Sequence, residues 1–338
     1  MFQKFSKFNS DDSKNSTSSH LKEERRRRFR ILVCIDGSDE SLEGVRFASQ
    51  IKPSQDCDII LLYVRTIDQG LRSGGLQIRL ARENMLDWGL ELPGIRYLRE
   101  ALGLLVDENE LENSWESSVS HTDSWGDPLG DNKVEYRHPD GRTIVLKLKT
   151  APDPASGILD QYELGPYNLI IMGAPQRWRT ELRAFFGAPV AQKVATLSPC
   201  SVLLSRKGIN AKLQEGKGHL ICFNGSEHSS HAMRRDAVFA HNSGHPISLF
   251  TVIEKKEKLS DAEKMLQEFE ENLQELGIKV RDKDVAIGNP VEEIVKKGGE
   301  YSIIAVAASS KKWYQRFFVT GVAFNVMASF EGTVLNIR

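Results

Sequence analysis

Residues 32–41 read LVCIDGSDES and residues 220–229 read LICFNGSEHS. In each, a short continuous apolar run ends on an acidic or amide residue, and Gly-Ser and further polar residues follow. Continuous apolar runs of this length mark strands buried on both faces. A Ser or Asp ahead of an amphipathic segment marks a helix start. Strand, glycine turn and helix, written twice, predict an α/β chain built by internal duplication.

The pattern continues outward from both turns. In the first half CDIILLYV, TIVLKLK, NLIIMGA and CSVLLSR read as strands, with helices over GSDESLEGVRFASQI, around PASGILDQY and across PVAQKVATL. In the second half HLICF, PISLFTVI, KVRDKDVAIG, SIIAVAA and TVLNIR alternate with SSHAMRRDAVFAH, SDAEKMLQEFEENLQELG, PVEEIVKKGG and VAFNVMASF. Apolar strands joined by helices imply a parallel sheet covered on both faces. Leu32 matches Leu220 at an offset of 188, whereas YNLIIMGA matches YSIIAVAA at 134 and VLLSR matches VLNIR at 132. The first copy therefore carries about 54 extra residues between its first and fourth strands. The expected architecture is two tandem open parallel five-stranded sheets with helices on both faces, Rossmann-like. The first domain covers residues 29–206 and the second 218–338, with a linker at 207–217 and a disordered basic N-terminal tail expected at 1–28.

A chain of 338 residues, 40% hydrophobic, has room for two domains of about 150 residues. A net charge of −1 argues against specific nucleic-acid binding by the whole molecule. Cys34, Cys57, Cys200 and Cys222 show no metal-ligand spacing and read as reduced core residues. No apolar run approaches the ~18 residues of a membrane span, and the N-terminus lacks a signal-peptide core, so a cytoplasmic location is expected. Arg25–Arg30, in KEERRRRFR, form a basic cluster: a solvated run, or a patch for an acidic protein or membrane surface.

Much of the excess lies at 104–132, a stretch with eight Asp or Glu and no Lys or Arg. Two readings stand, a solvated flexible insertion or a binding element anchored by Trp115 and Trp125. The HPDG turn that follows predicts a hairpin feeding the third strand. RWRTELRAFF and KKWYQRFF occupy equivalent places in the two copies, and Trp178 and Trp313 near their centres are candidates for partner contact. His228 and His231 share a helix face, but no carboxylate or cysteine completes a metal triad.

Ligands of open parallel sheets sit at the carboxyl ends of the strands. Those ends are Asp36-Gly37-Ser38, Tyr63-Val64 and Met172-Gly173-Ala174. An Asp there can accept from an adenine amino group or a ribose hydroxyl, and glycines let backbone N–H groups approach phosphate.

ILVCIDGSDES, NLIIMG and FFGAPVAQKVATLSPCSVLLSR together resemble the universal stress protein family, here as a tandem spanning both halves apart from the acidic insertion. The resemblance implies the adenine nucleotide alpha hydrolase-like fold and pairing of the halves through their final strands, an intramolecular pseudo-dimer. It also implies, in some members, ATP binding through a Gly-x-x-Gly-x9-Gly-Ser/Thr loop. This chain departs from that loop. Gln176 replaces the second glycine, ten residues precede Gly187, and Ala188-Pro189 follow. In the second copy Ala307 and Ser310 replace both glycines and Asn224 replaces the Asp. Bulk, a lost hydroxyl and a lost N–H all weaken phosphate binding, although Arg177, Arg179 and Arg183 could supply charged donors. The expectation is a non-enzymatic regulator or scaffold with no cofactor, acting on another protein or on a second copy of itself. The alternative is an ATP- or AMP-responsive switch using Asp36, Gly37, Val64, Gly173 and Gly187.

Overall fold

The computed structural model describes residues 27–51, 57–67, 93–124, 127–161, 166–174, 189–308 and 321–338. Its first half contains β1 (Phe29–Cys34), α1 (Asp39–Gln50), β2 (Cys57–Thr66), α2 (Pro93–Gly103), α3 (Glu108–Ser114), β3 (Glu116–Ser124), β4 (Asp127–Arg137), β5 (Thr143–Ala151), α4 (Pro154–Leu159), β6 (Leu169–Gly173), α5 (Val190–Leu197) and β7 (Ser201–Ser205). After α6 (Ile209–Gln214) the second half contains β8 (His219–Cys222), α7 (Glu227–Asn242), β9 (Ile247–Ile253), α8 (Leu259–Gln274), β10 (Val280–Ile287), α9 (Pro290–Gly298), β11 (Ile303–Ala307), α10 (Val322–Ser329) and β12 (Thr333–Ile337).

These strands form one sheet in the order β10-β9-β8-β11-β12-β7-β6-β1-β2-β5-β4-β3. Each half contributes five parallel strands in the same spatial order, third, second, first, fourth, fifth. The halves join where β12 runs antiparallel to β7, with Leu335 opposite Leu203. Alternation along the strands sorts the core onto two faces. Ile31, Val33 and Leu61 pack with Ile221 and Leu249 under α1 and α7, while Leu32, Ile60 and Leu62 share the other face with Leu220, Ile304 and Val334. Both cores thus run continuously through the junction.

Two arginines lock it. Arg206, 1% exposed, follows β7 and donates to the carbonyls of Met327, Phe330 and Gly332 at the end of α10. Arg338, after β12, donates to the carbonyls of Ala195 and Thr196 in the last turn of α5. Each cation meets the negative end of the other half's last helix. The expected pairing near Ser201–Arg206 and Thr333–Ile337 is therefore present, with this reciprocal clasp added.

Three expectations need correction. The segment 104–132 is not a flexible insertion. It contains α3 and a hairpin, in which β4 pairs antiparallel with β5 and β3 with β4, so the first half has seven strands instead of five. The linker 207–217 contains α6, held down by Ile209 in the core and by Asn210, which bonds Glu43 and Gln50 of α1. In the basic cluster, Arg28 and Arg30 both bind Asp58, at 2.6 and 3.2 Å. Arg30 is itself buried and lies 4.6 Å over the Tyr167 ring. A carboxylate buried at the start of β2 needs that compensation, so these two side chains hold the fold together instead of facing a partner. Arg27 is exposed, and Arg25 and Arg26 lie outside the described residues. Among the described residues no helix is long and apolar enough to cross a membrane.

Candidate functional site

The two turns quoted at the outset have the same geometry. After β1, Asp36 Oδ1 accepts from the backbone N–H of Ser38 at 2.9 Å and from its hydroxyl at 2.6 Å. Ser38 Oγ in turn accepts from the N–H of Ser41 and caps α1. After β8, Asn224 Oδ1 accepts from Ser226 N–H at 3.1 Å and from its hydroxyl at 2.8 Å, and Ser226 Oγ caps α7 through Ser229. Only one side-chain oxygen is used, and Asp and Asn both supply it. The substitution that distinguishes the copies leaves the turn's hydrogen bonds unchanged.

The glycines that follow are required by backbone and by packing. Gly37 has φ +84° and Gly225 has φ +74°, a region costly for other residues. A Cβ on Gly37 would stand 2.6 Å from the Tyr97 ring of α2, and one on Gly225 would stand 2.4 Å from Met265 Sδ of α8. In each half, then, a side chain from the helix after the second strand lies against the turn. In the first half Tyr97 is joined by Tyr63 of β2 at 6.1 Å between ring centroids, and the Arg96 guanidinium lies 5.2 Å from the Tyr97 ring.

Gly173 and Val64 are also occupied by packing. A Cβ on Gly173 would come within 2.8 Å of Ser41 N, so this glycine lets the end of β6 abut the first turn of α1. Val64 meets Gly157 of α4, where a Cβ would lie 2.6 Å from Val64 Cγ1. Asp36, Gly37, Val64 and Gly173 all stand at the carboxyl ends of β1, β2 and β6, as expected. Gly187, Trp125, Trp178 and Trp313 lie outside the described residues. Trp115 is 8% exposed. Its ring lies 5.1 Å from His138 and 5.3 Å from the Arg142 guanidinium, and its Nε1 donates to Glu110. It anchors α3 to the β4–β5 turn from inside instead of presenting its ring to a partner.

A cavity of about 360 Å³ lies beside the junction, walled mostly by the second half and by Ala195 and Thr196 of α5. Asn224, Ser226, His228, Asn336 and Arg338 line it together with the first turn of α10. His228 Nε2 donates to the carbonyl of Ala308 at 2.9 Å. Gly321 gives α10 no side-chain cap, and uncapped N–H groups favour an anion. Asn336 Nδ2 donates to Ala195, whereas its buried Oδ1 has no partner among the described residues. Sequence reading placed its nucleotide alternative in the first half, because Asp36 and Gly173 match the binding motif there and Asn224 and Ala307 do not.

At the opposite end of β8 a buried polar chain escaped sequence reading. His219 and Asp236 are 0% and 1% exposed. Asp236 accepts from His219 Nδ1 at 3.0 Å, and His219 Nε2 faces His245 Nδ1 at 3.3 Å. Burial first, and then His219, push His245 down to about 4. Phe47 of α1 packs 6.1 Å from both His245 and Phe239, so the chain lies between the halves, at the amino end of β8 and away from the carboxyl ends of the strands. A 17-residue separation on elements whose packing is unknown gives no sequence signal. Among the described residues no group of three or more His, Cys, Asp or Glu could hold a metal ion.

No family model matches this sequence, and no curated protein matches it. Solved structures do. A universal stress protein from Archaeoglobus fulgidus DSM 4304 superposes with TM-score 0.58 at 15% identity, covering 91% of this chain and 96% of that one. A candidate universal stress protein from Pseudomonas aeruginosa UCBPP-PA14 gives 0.52 at 10% identity, covering 93% and 94%. A functionally unknown protein from Pseudomonas aeruginosa PAO1 gives 0.50 at 11%, covering 93% of each chain. At these identities the likeness is one of fold, and it extends over both halves.

Proposed function

We propose that this chain, which has the fold of universal stress proteins across both halves, is a non-enzymatic regulator or scaffold that works by contact with another protein. The observation that carries this reading is the state of the two turns. Asp36 Oδ1 already accepts two hydrogen bonds within its own turn, as Asn224 Oδ1 does in the other copy, and Tyr97 lies against Gly37. The residue types of the phosphate loop agree, since Gln176, Ala188 and Pro189 stand where close approach and donors are needed. The feature that sets the first half apart from the second is the inserted α3 and its hairpin, with Asp107, Glu108, Glu112 and Glu116 exposed. An exposed addition on a rigid scaffold is where contact function concentrates.

The test is capture of a protein partner by the wild-type chain and by the triple variant Glu108→Lys, Glu112→Lys, Glu116→Lys. These positions are exposed, so the variant is expected to fold normally and to lose capture. Unchanged capture removes the insertion from the proposal.

The cavity favours a second reading, in which the regulator responds to a small anion or an adenine nucleotide such as ATP or AMP, bound in the second half. A calorimetric signal lost in His228→Ala and retained in Asp36→Ala would select it. The switch sited in the first half has less support, for the reasons given at Asp36 and Gly37.

A further inference from the structure

Among the described residues the sheet ends in two edges of opposite character. β10 closes the second half and carries four consecutive charges, Arg281, Asp282, Lys283 and Asp284. Its pairing with β9 is irregular between Val280 and Asp282, and Lys283 is tied to Glu270 and Gln267 of α8. Charge, lysine and irregular pairing protect an edge from a further strand. β3 closes the first half and carries no Lys, Arg or Pro. Its pairing with β4 shifts register only near its end, between Thr122 and Ser124, and is regular from Glu116 to Thr122, with Val119 at the middle 76% exposed. On a strand paired along one side, every second residue turns its N–H and C=O outward. The regular run presents roughly 23 Å of such edge.

We propose that the outer edge of β3 is a strand-addition site for an extended, lysine- or arginine-rich segment of another protein. The surroundings select that chemistry. Asp107, Glu108 and Glu112 on and beside α3, and Glu116 at the start of β3, are exposed; the segment itself has no Lys or Arg, and Arg137 opposite Glu116 and Arg142 near Glu110 are fewer than its carboxylates. Main-chain hydrogen bonds along an edge provide affinity, and flanking charge provides selection and a faster encounter. A second copy of this chain is the poorer occupant, because its β3 carries no Lys or Arg to meet these carboxylates. The proposal rests on the reading that the insertion is the contact surface, and adds how it binds and what it binds.

The experiment uses the full chain and three synthetic nonapeptides: one alternating lysine and valine, the same peptide N-methylated throughout, and one with glutamate in place of lysine. Hydrogen–deuterium exchange is read across residues 116–122. The lysine peptide is expected to slow exchange there by about tenfold or more, and the other two to leave it unchanged. Equal protection by the N-methylated peptide would mean charge attraction without strand pairing and overturns the proposal. So does exchange unaffected by any peptide. So does a dimer in sedimentation whose β3 amides are already protected, since a second copy then covers the edge. Capture lost in the charge-reversed variant together with unprotected β3 amides would retain the insertion as contact surface and remove strand addition. Protection by the lysine peptide with capture unchanged would retain the edge site and remove the functional reading.

Discussion

At positions 36 and 224 one oxygen atom does the same work in two different side chains. Oδ1 accepts from Ser38 in one copy and from Ser226 in the other, at distances that differ by 0.2 Å. Asp36→Asn is therefore expected to change stability by less than about 0.5 kcal/mol, whereas Asp36→Ala removes the acceptor and costs about 1 kcal/mol. Urea denaturation of both variants checks this, and a large loss in Asp36→Asn would mean that the charge itself matters. His245 gives a pH signature at the same scale. Its folded pKa of about 4 lies below the usual 6.5, so between those values the unfolded chain binds more protons. Its contribution is complete above pH 6.5 and is lost as pH falls toward 4. Denaturation midpoints at pH 7 and pH 5 should differ less in His245→Gln than in the wild type.

Among elements, the regular repeats and the β4–β5 hairpin at HPDG were legible in the sequence, whereas α3 and β3 were not. β1, β2, β6 and β7 and their counterparts in the second half are continuous apolar runs, and their caps are the residues that cap helices generally. β3 reads ESSVSHTDS, with one apolar residue and low strand propensity. It becomes a strand because β4 pairs with it and Trp115 holds α3 in place, and both are tertiary facts. The roles of Arg28 and Arg30 were hidden for the same reason: Asp58 lies 30 and 28 residues away, and only the parallel pairing of β1 with β2 brings it near. The Arg206 clasp belongs to this scale as well. Arg206→Ala leaves the carbonyls of Met327, Phe330 and Gly332 without their donor. Its expected cost is about 3 kcal/mol in thermal or chemical denaturation. A cost below about 1 kcal/mol would show that the junction does not depend on it.

For the whole molecule, one sheet joins two similar halves that diverged in different places. The first half has Asp36 and Gly173 at the strand ends and carries the hairpin and its acidic helix. The second half has Asn224 and Ala307 in those places, and the cavity lies at the start of its α10. The duplication was readable from sequence offsets, and the joining through the last strands was implied by the family resemblance. The reason for keeping the turn was not, because Asp36 matches a ligand motif and a helix cap equally well until its hydrogen bonds are seen. The most direct measurement is calorimetric titration of the full chain with ATP, ADP and AMP at millimolar concentration, in the wild type and in Asp36→Ala. The account predicts no saturable heat dependent on Asp36; saturable binding in the wild type that disappears in Asp36→Ala would contradict it.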